Sequence, residues 1–96
     1  MAAALKRRLY MSRRHVPLDR SDEYLLAWAA ARRAVESAGA HAWIFRGAEH
    51  EDRFIEFVEW AGDGASPLDD SAVAAALDLL DAFAMATHSE EWEETQ

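Results

Sequence analysis

Two side chains of this sequence combine proton chemistry with an aromatic setting. His41, Trp43 and Phe45 recur at every second position of AHAWIFR, and Phe54, Glu56, Val58 and Trp60 do so in RFIEFVEW. A period of two is that of a strand, so each set projects from one face of a sheet. If GAEHED, residues 47–52, is a six-residue turn, Arg46 pairs with Arg53 and the two sets share a face. His41 and Glu56 are then diagonal neighbours in an apolar wall. Such a wall raises a carboxyl pKa, and a histidine beside it can act as base or be oriented by it. Tyr10, placed on the same side by the first strand, adds a donor near a bound carbonyl or phenol. Trp43, Phe45, Trp60 and, from the first helix, Trp28 would flank a flat aromatic substrate. The same residues also have a plainly structural reading. A His and a Glu near strand ends commonly form a solvated pair, and rings at helix and strand spacing commonly form core.

Other chemistries find little support. There is no cysteine, so a thiolate zinc site, a Cys nucleophile and a disulfide framework are excluded, which fits a cytoplasmic setting. Histidines 15, 41, 50 and 88 fall in separate segments without metal-ligand spacing, so no metal is expected. His50, within EHED, fits a hydrated turn. Glycine-rich nucleotide loops and the G-x-S-x-G elbow are absent, and no cofactor is expected.

Charge is unevenly distributed. Residues 1–20 hold six basic groups against Asp19, whereas residues 47–96 hold fourteen acids against Arg53 alone, within a total of −8. An acidic field repels phosphate, so nucleic acid is not an expected partner. The arginines at 7, 8, 13 and 14 are expected on the solvent face or as cross-strand partners of acids. No stretch approaches the roughly 20 apolar residues of a membrane span, and neither a signal peptide nor a membrane anchor is expected.

The 96 residues bound the chain to one domain, 1–96, with a thin core. Residues 5–16 predict a first strand, in which Leu9 and Met11 alternate with Arg8, Tyr10 and Ser12; Pro17 ends it. Asp19 is the expected cap of a helix over 20–38, with Tyr24, Trp28, Ala31, Val35 and Ala38 as its apolar stripe, widened by Leu25. Gly39 suits its C-terminal glycine position. Two strands follow within 40–61. Ser66, Pro67 and Asp69 predict the start of a second helix. Val73, Leu77, Leu80 and Ala84 are its buried stripe, with Phe83 alongside and Asp70, Asp78 and Asp81 to its sides. The tail THSEEWEETQ is either a last helical turn or a short edge strand carrying Trp92. The order β-α-β-β-α, with that candidate fourth strand, predicts an α+β antiparallel sheet with both helices on one face. The first strand lies beside the third, and the second forms an edge.

Both faces of the 40–61 hairpin carry large apolar residues, yet two helices cover only one face. A second copy packed sheet to sheet would cover the other, contributing on the order of 25 cal/mol per Å² of apolar area. A homodimer is therefore expected.

The strand ending near Pro17, the helix with E-Y-L-L-A-W, the glycine leading into H-A-W-I-F-R and the run D-R-F-I-E-F-V-E-W resemble the dimeric α+β barrel superfamily. Within it they are most similar to proteins like the antibiotic-biosynthesis monooxygenases, over residues 8–61. The resemblance implies a ferredoxin-like protomer, a homodimer and a pocket between sheet and helices. It also implies a cofactor-independent enzyme, of monooxygenase or isomerase/cyclase type, acting on a small aromatic or polyketide-like molecule. The alternative is a non-catalytic homodimeric ligand-binding or structural module. The family's clear fourth strand is missing or reduced to the tail. The haem-degrading subgroup's strand-one Asn has no counterpart, and no His follows Trp60 before His88, which sets haem degradation aside.

Overall fold

The structure is a computed structural model and is described for residues 6–96; the start of the first strand expected at Leu5 lies outside these residues. The elements run β1 (Arg7–His15), α1 (Ser21–Ser37), β2 (His41–Arg46), β3 (Arg53–Ala61), α2 (Ser71–Asp81) and β4 (Ala86–Glu93). The sheet is antiparallel with the order β2-β3-β1-β4. This is the expected ferredoxin-like α+β arrangement, with β1 beside β3 and β2 at an edge. The tail forms a full strand, β4, on the free side of β1, and leaves β4 as the second edge.

The core lies between the sheet and the two helices. It contains Tyr24, Trp28, Ala31 and Val35 from α1, Val73, Leu77 and Leu80 from α2, and Ala42, Phe54, Val58 and Trp60 from the sheet. The step of three and four along α1 thus buries the stripe expected from sequence up to Val35. Ala38 is exposed, because α1 has already ended and Gly39 turns the chain with φ 84°. Phe83 and Ala84 lie beyond the end of α2 and are half-buried against the same core.

Both helix starts differ from the sequence expectation, for a shared reason. A proline opens a short 3-10 turn ahead of each helix. Leu18–Arg20 forms such a turn directly after Pro17, so Asp19 is consumed within it and caps nothing. Helix α1 starts at Ser21 with Arg20 in the cap position and no side-chain cap bond. Ser66 does cap, but it caps the 3-10 turn Pro67–Asp69 by accepting from the Leu68 N–H. Asp70, expected at the side of the helix, is the cap of α2 and accepts from the Ala72 and Val73 N–H groups at 2.9 and 3.1 Å.

The hairpin departs from expectation by one residue. Arg46 pairs with Phe54, not Arg53, and His41 pairs with Glu59. The Gly47 N–H donates to the Arg53 carbonyl at 2.8 Å, so the ladder takes in the first residue of the expected turn. A Cβ at Gly47 would lie 2.7 Å from the His50 carbonyl oxygen, which is why glycine permits this closure. A one-residue slip moves every side chain of one strand to the other face. Ala42, Ile44 and Arg46 therefore share the helix-covered face with Phe54, Glu56, Val58 and Trp60. His41, Trp43 and Phe45 share the open face with Arg53, Ile55, Phe57 and Glu59.

Candidate functional site

The slip separates the two residues on which the sequence-based site rests. His41 is exposed on the open face, where its ring stacks near Trp43 with centroids 6.2 Å apart. Glu56 is buried on the helix side. They do not form a couple. Tyr10 pairs with Val58 and Ser12 with Glu56, so Tyr10 lies on Glu56's side of the sheet, half-buried. Trp28 and Trp60 are buried on that side too, whereas Trp43 and Phe45 are exposed on the other at 39% and 55%. The seven residues grouped by sequence thus divide between two surfaces.

On the helix side, Glu56 sits in a polar centre with Arg14, which takes the second of its two expected places, that of a cross-strand partner of an acid. Arg14 follows Tyr10 and Ser12 at the spacing of one strand face, and this alternation was the signal for it. Its Nε donates to Glu56 Oε2 at 2.9 Å, with both side chains 2% exposed. Its Nη1 donates to the Asp81 carboxylate at the end of α2 and to Thr87 Oγ1 at 3.3 Å. Its Nη2 reaches the Leu77 carbonyl at 3.5 Å. The Tyr24 hydroxyl donates to the same Glu56 Oε2. Glu56 Oε1 is buried with no partner among the described residues.

Burial pushes the Glu56 carboxyl above its ordinary range, against the opposing pull of the Arg14 guanidinium and the Tyr24 hydroxyl. Burial, followed by the charge of Glu56, likewise raises the Tyr24 hydroxyl, so tyrosine remains the donor. Burial works to lower Arg14, but the Glu56 and Asp81 carboxylates outweigh it and hold the guanidinium charged. Arg14 and Tyr24 thus hold one oxygen of Glu56, and the other is left without a partner among the described residues. The surrounding space is occupied: Tyr24 lies 4.8 Å from Phe54 between ring centroids, and Trp28, Val58 and Trp60 are packed into the same core.

The open face carries Leu9, Met11, Trp43, Phe45, Ile55, Phe57 and Trp92. Trp92 is 55% exposed, and Phe45 and Phe57 meet edge to face at 5.9 Å. A groove of about 510 Å³ is lined by residues at the hairpin end of the sheet, among them Arg13, His15, Arg53, Ile55 and His88. Among the described residues no cluster of three or more His, Asp or Glu side chains is arranged to hold a metal ion. No helix among them is long and apolar enough to cross a membrane.

No family model matches the chain, and no curated protein matches it. Solved structures do. A variant of SnoaB, a cofactor-independent oxygenase from Streptomyces nogalater, superposes with a TM-score of 0.77 at 13% identity over 94% of each chain. A Nitrosomonas europaea protein assigned provisionally to the antibiotic biosynthesis monooxygenases gives 0.75 at 10% identity, over 100% of this chain and 95% of its own. A similar protein from Bordetella bronchiseptica gives 0.74 at 14%, over 94% and 98%. Likeness at this identity establishes a common fold across essentially the whole chain.

Proposed function

We propose that the chain works as a homodimeric, cofactor-independent enzyme of monooxygenase type on a small aromatic or polyketide-like molecule. The observation that carries this reading is the end-to-end likeness to the SnoaB oxygenase, together with a buried carboxyl of raised pKa on the helix side of the sheet. Fold alone does not fix function, so the assignment of roles rests on Glu56. It accepts a proton from an acidic CH₂ or phenol of the substrate, and the resulting electron-rich anion reacts with oxygen. When the CH₂ becomes C=O, one oxygen atom enters the product and the other leaves as water, with the substrate supplying the electrons. Arg14 and Tyr24 position the carboxylate. Tyr10 donates to the substrate oxygen, and Trp28 and Trp60 flank its rings. His41, Trp43 and Phe45 take the other task of the sheet, that of covering a second copy's open face.

The occupied interior around Glu56 favours a second reading, a non-catalytic homodimeric ligand-binding module. Oxygen uptake with an anthrone, a CH₂-acidic polycyclic phenol precursor, separates the two: the first reading expects uptake by the protein alone, the second expects none.

A further inference from the structure

The hairpin end of the open face gathers two arginines and two histidines in a chain that is strongly acidic overall. On β1, Arg13 pairs with Ile55 on one side and with His88 on the other; His15 pairs with Arg53 and with Ala86. Paired residues share a face, so Arg13, His15, Arg53 and His88 occupy adjacent positions on one surface. Each arginine faces a histidine across the ladder, which makes a like-charge pair only when that histidine is protonated. The neutralisation within the chain is incomplete. His15 Nε2 lies 2.6 Å from Asp52 Oδ2, and His88 Nε2 lies 2.7 Å from Glu90 Oε1. Arg53 is 3.8 Å from Asp52, which it shares with His15. Among the described residues no carboxylate lies within 4.0 Å of Arg13.

The same residues line a groove of about 510 Å³, to which Ile55 and Ala86 add apolar side chains from the same face. That volume lies in the range of roughly 300–1,000 Å³ that holds small ligands. The combination is specific: guanidinium groups able to grip a carboxylate or phenolate, beside apolar side chains able to take a hydrocarbon body. We infer that this groove is a binding site for a small organic anion with an apolar body, held through Arg13 and Arg53. The site is on the opposite face of the sheet from Glu56 and does not depend on the oxygenase chemistry; in the proposed homodimer its walls would face the second copy.

The test is calorimetric titration of the full chain with 2-naphthoate, against the neutral isostere 2-naphthamide. The expected result is that naphthoate binds at least about tenfold more tightly than the amide, and that Arg13→Gln and Arg53→Gln each weaken naphthoate by about tenfold. Arg32→Gln, an equal charge change on the exposed face of α1, should leave binding unchanged. Equal affinity for acid and amide, equal loss in the Arg32 variant, or no binding to the unaltered chain would each overturn the inference. So would naphthoate failing to bind while Arg13→Gln and Arg53→Gln dissociate a dimer in sedimentation, since the cations would then serve a second copy's carboxylates.

Discussion

Arg14 and Glu56 meet at 2.9 Å inside the layer between sheet and helices, each with only 2% of its side chain exposed. The pair joins β1 to β3, and through Asp81 and Thr87 it joins both to the end of α2 and the start of β4. A buried ion pair of this kind contributes little net stability, yet breaking it is costly because one charge is left without its partner.

Glu56→Gln should therefore destabilise the fold by about 2–4 kcal/mol, the remaining Asp81 contact keeping the loss below that of a fully orphaned arginine. Replacing both partners, Arg14→Met with Glu56→Leu, should recover most of the loss. Urea unfolding of the two variants checks this. Equal instability in the single and double variants would show that the pair is not the source.

Tyr24→Phe removes one of the two donors on Glu56 Oε2. A hydrogen bond to a charged group contributes about 1.5–3 kcal/mol, and the variant should lose an amount in that range. Its carboxyl should also titrate at still higher pH, which carbon-13 NMR of labelled glutamate would detect.

The carboxyl groups predict two opposite pH dependences. Glu56 is raised in the folded state, so the stability linked to it is fully present below about pH 4.3, the ordinary value, and is lost as pH rises through its folded value. Glu56→Gln should flatten the decline on that side. Glu94 is held low by its hydrogen bonds from Arg7. Partial burial pushes Asp52 up, but the hydrogen bond and charge of His15 outweigh it and hold that carboxyl low as well. Their contributions are present above about pH 4 and are lost as pH falls through the folded values. Asp52→Asn with Glu94→Gln should make the acid limb of a thermal-denaturation profile shallower.

The open face predicts the oligomeric state. Sedimentation equilibrium should give twice the 10.8 kDa chain mass at micromolar concentration. Trp43→Glu with Phe45→Glu should give the single-chain mass with the fold intact by circular dichroism. A monomer before any substitution would refute sheet-to-sheet packing.

Helix α1 was legible because a single apolar stripe admits one orientation, and Gly39 marks its end. The faces of the hairpin were not. Large apolar residues line both sides of β2 and β3, so no alternation of polar and apolar types distinguishes a five-residue turn from a six-residue one. The choice rested on the backbone approach at Gly47, where a Cβ would meet the His50 carbonyl at 2.7 Å. That one step separated His41 from Glu56. Of the two places expected for Arg14, the solvent face and a cross-strand pairing with an acid, the second holds, with Glu56; only its parity with Tyr10 and Ser12 places it inside. The strand β4 was obscured by its acids, which are tolerated because β4 is an edge with exposed side chains.

The most direct test of the proposed function is oxygen uptake in an electrode cell, with chelator-treated protein, an anthrone as substrate and no added flavin or metal. The expected result is one oxygen consumed for each quinone formed, with Glu56→Gln slower by about a hundredfold, the lower end of what a general base supplies. No uptake above the buffer rate, or uptake that appears only when flavin or metal is added, would contradict a cofactor-independent oxygenase.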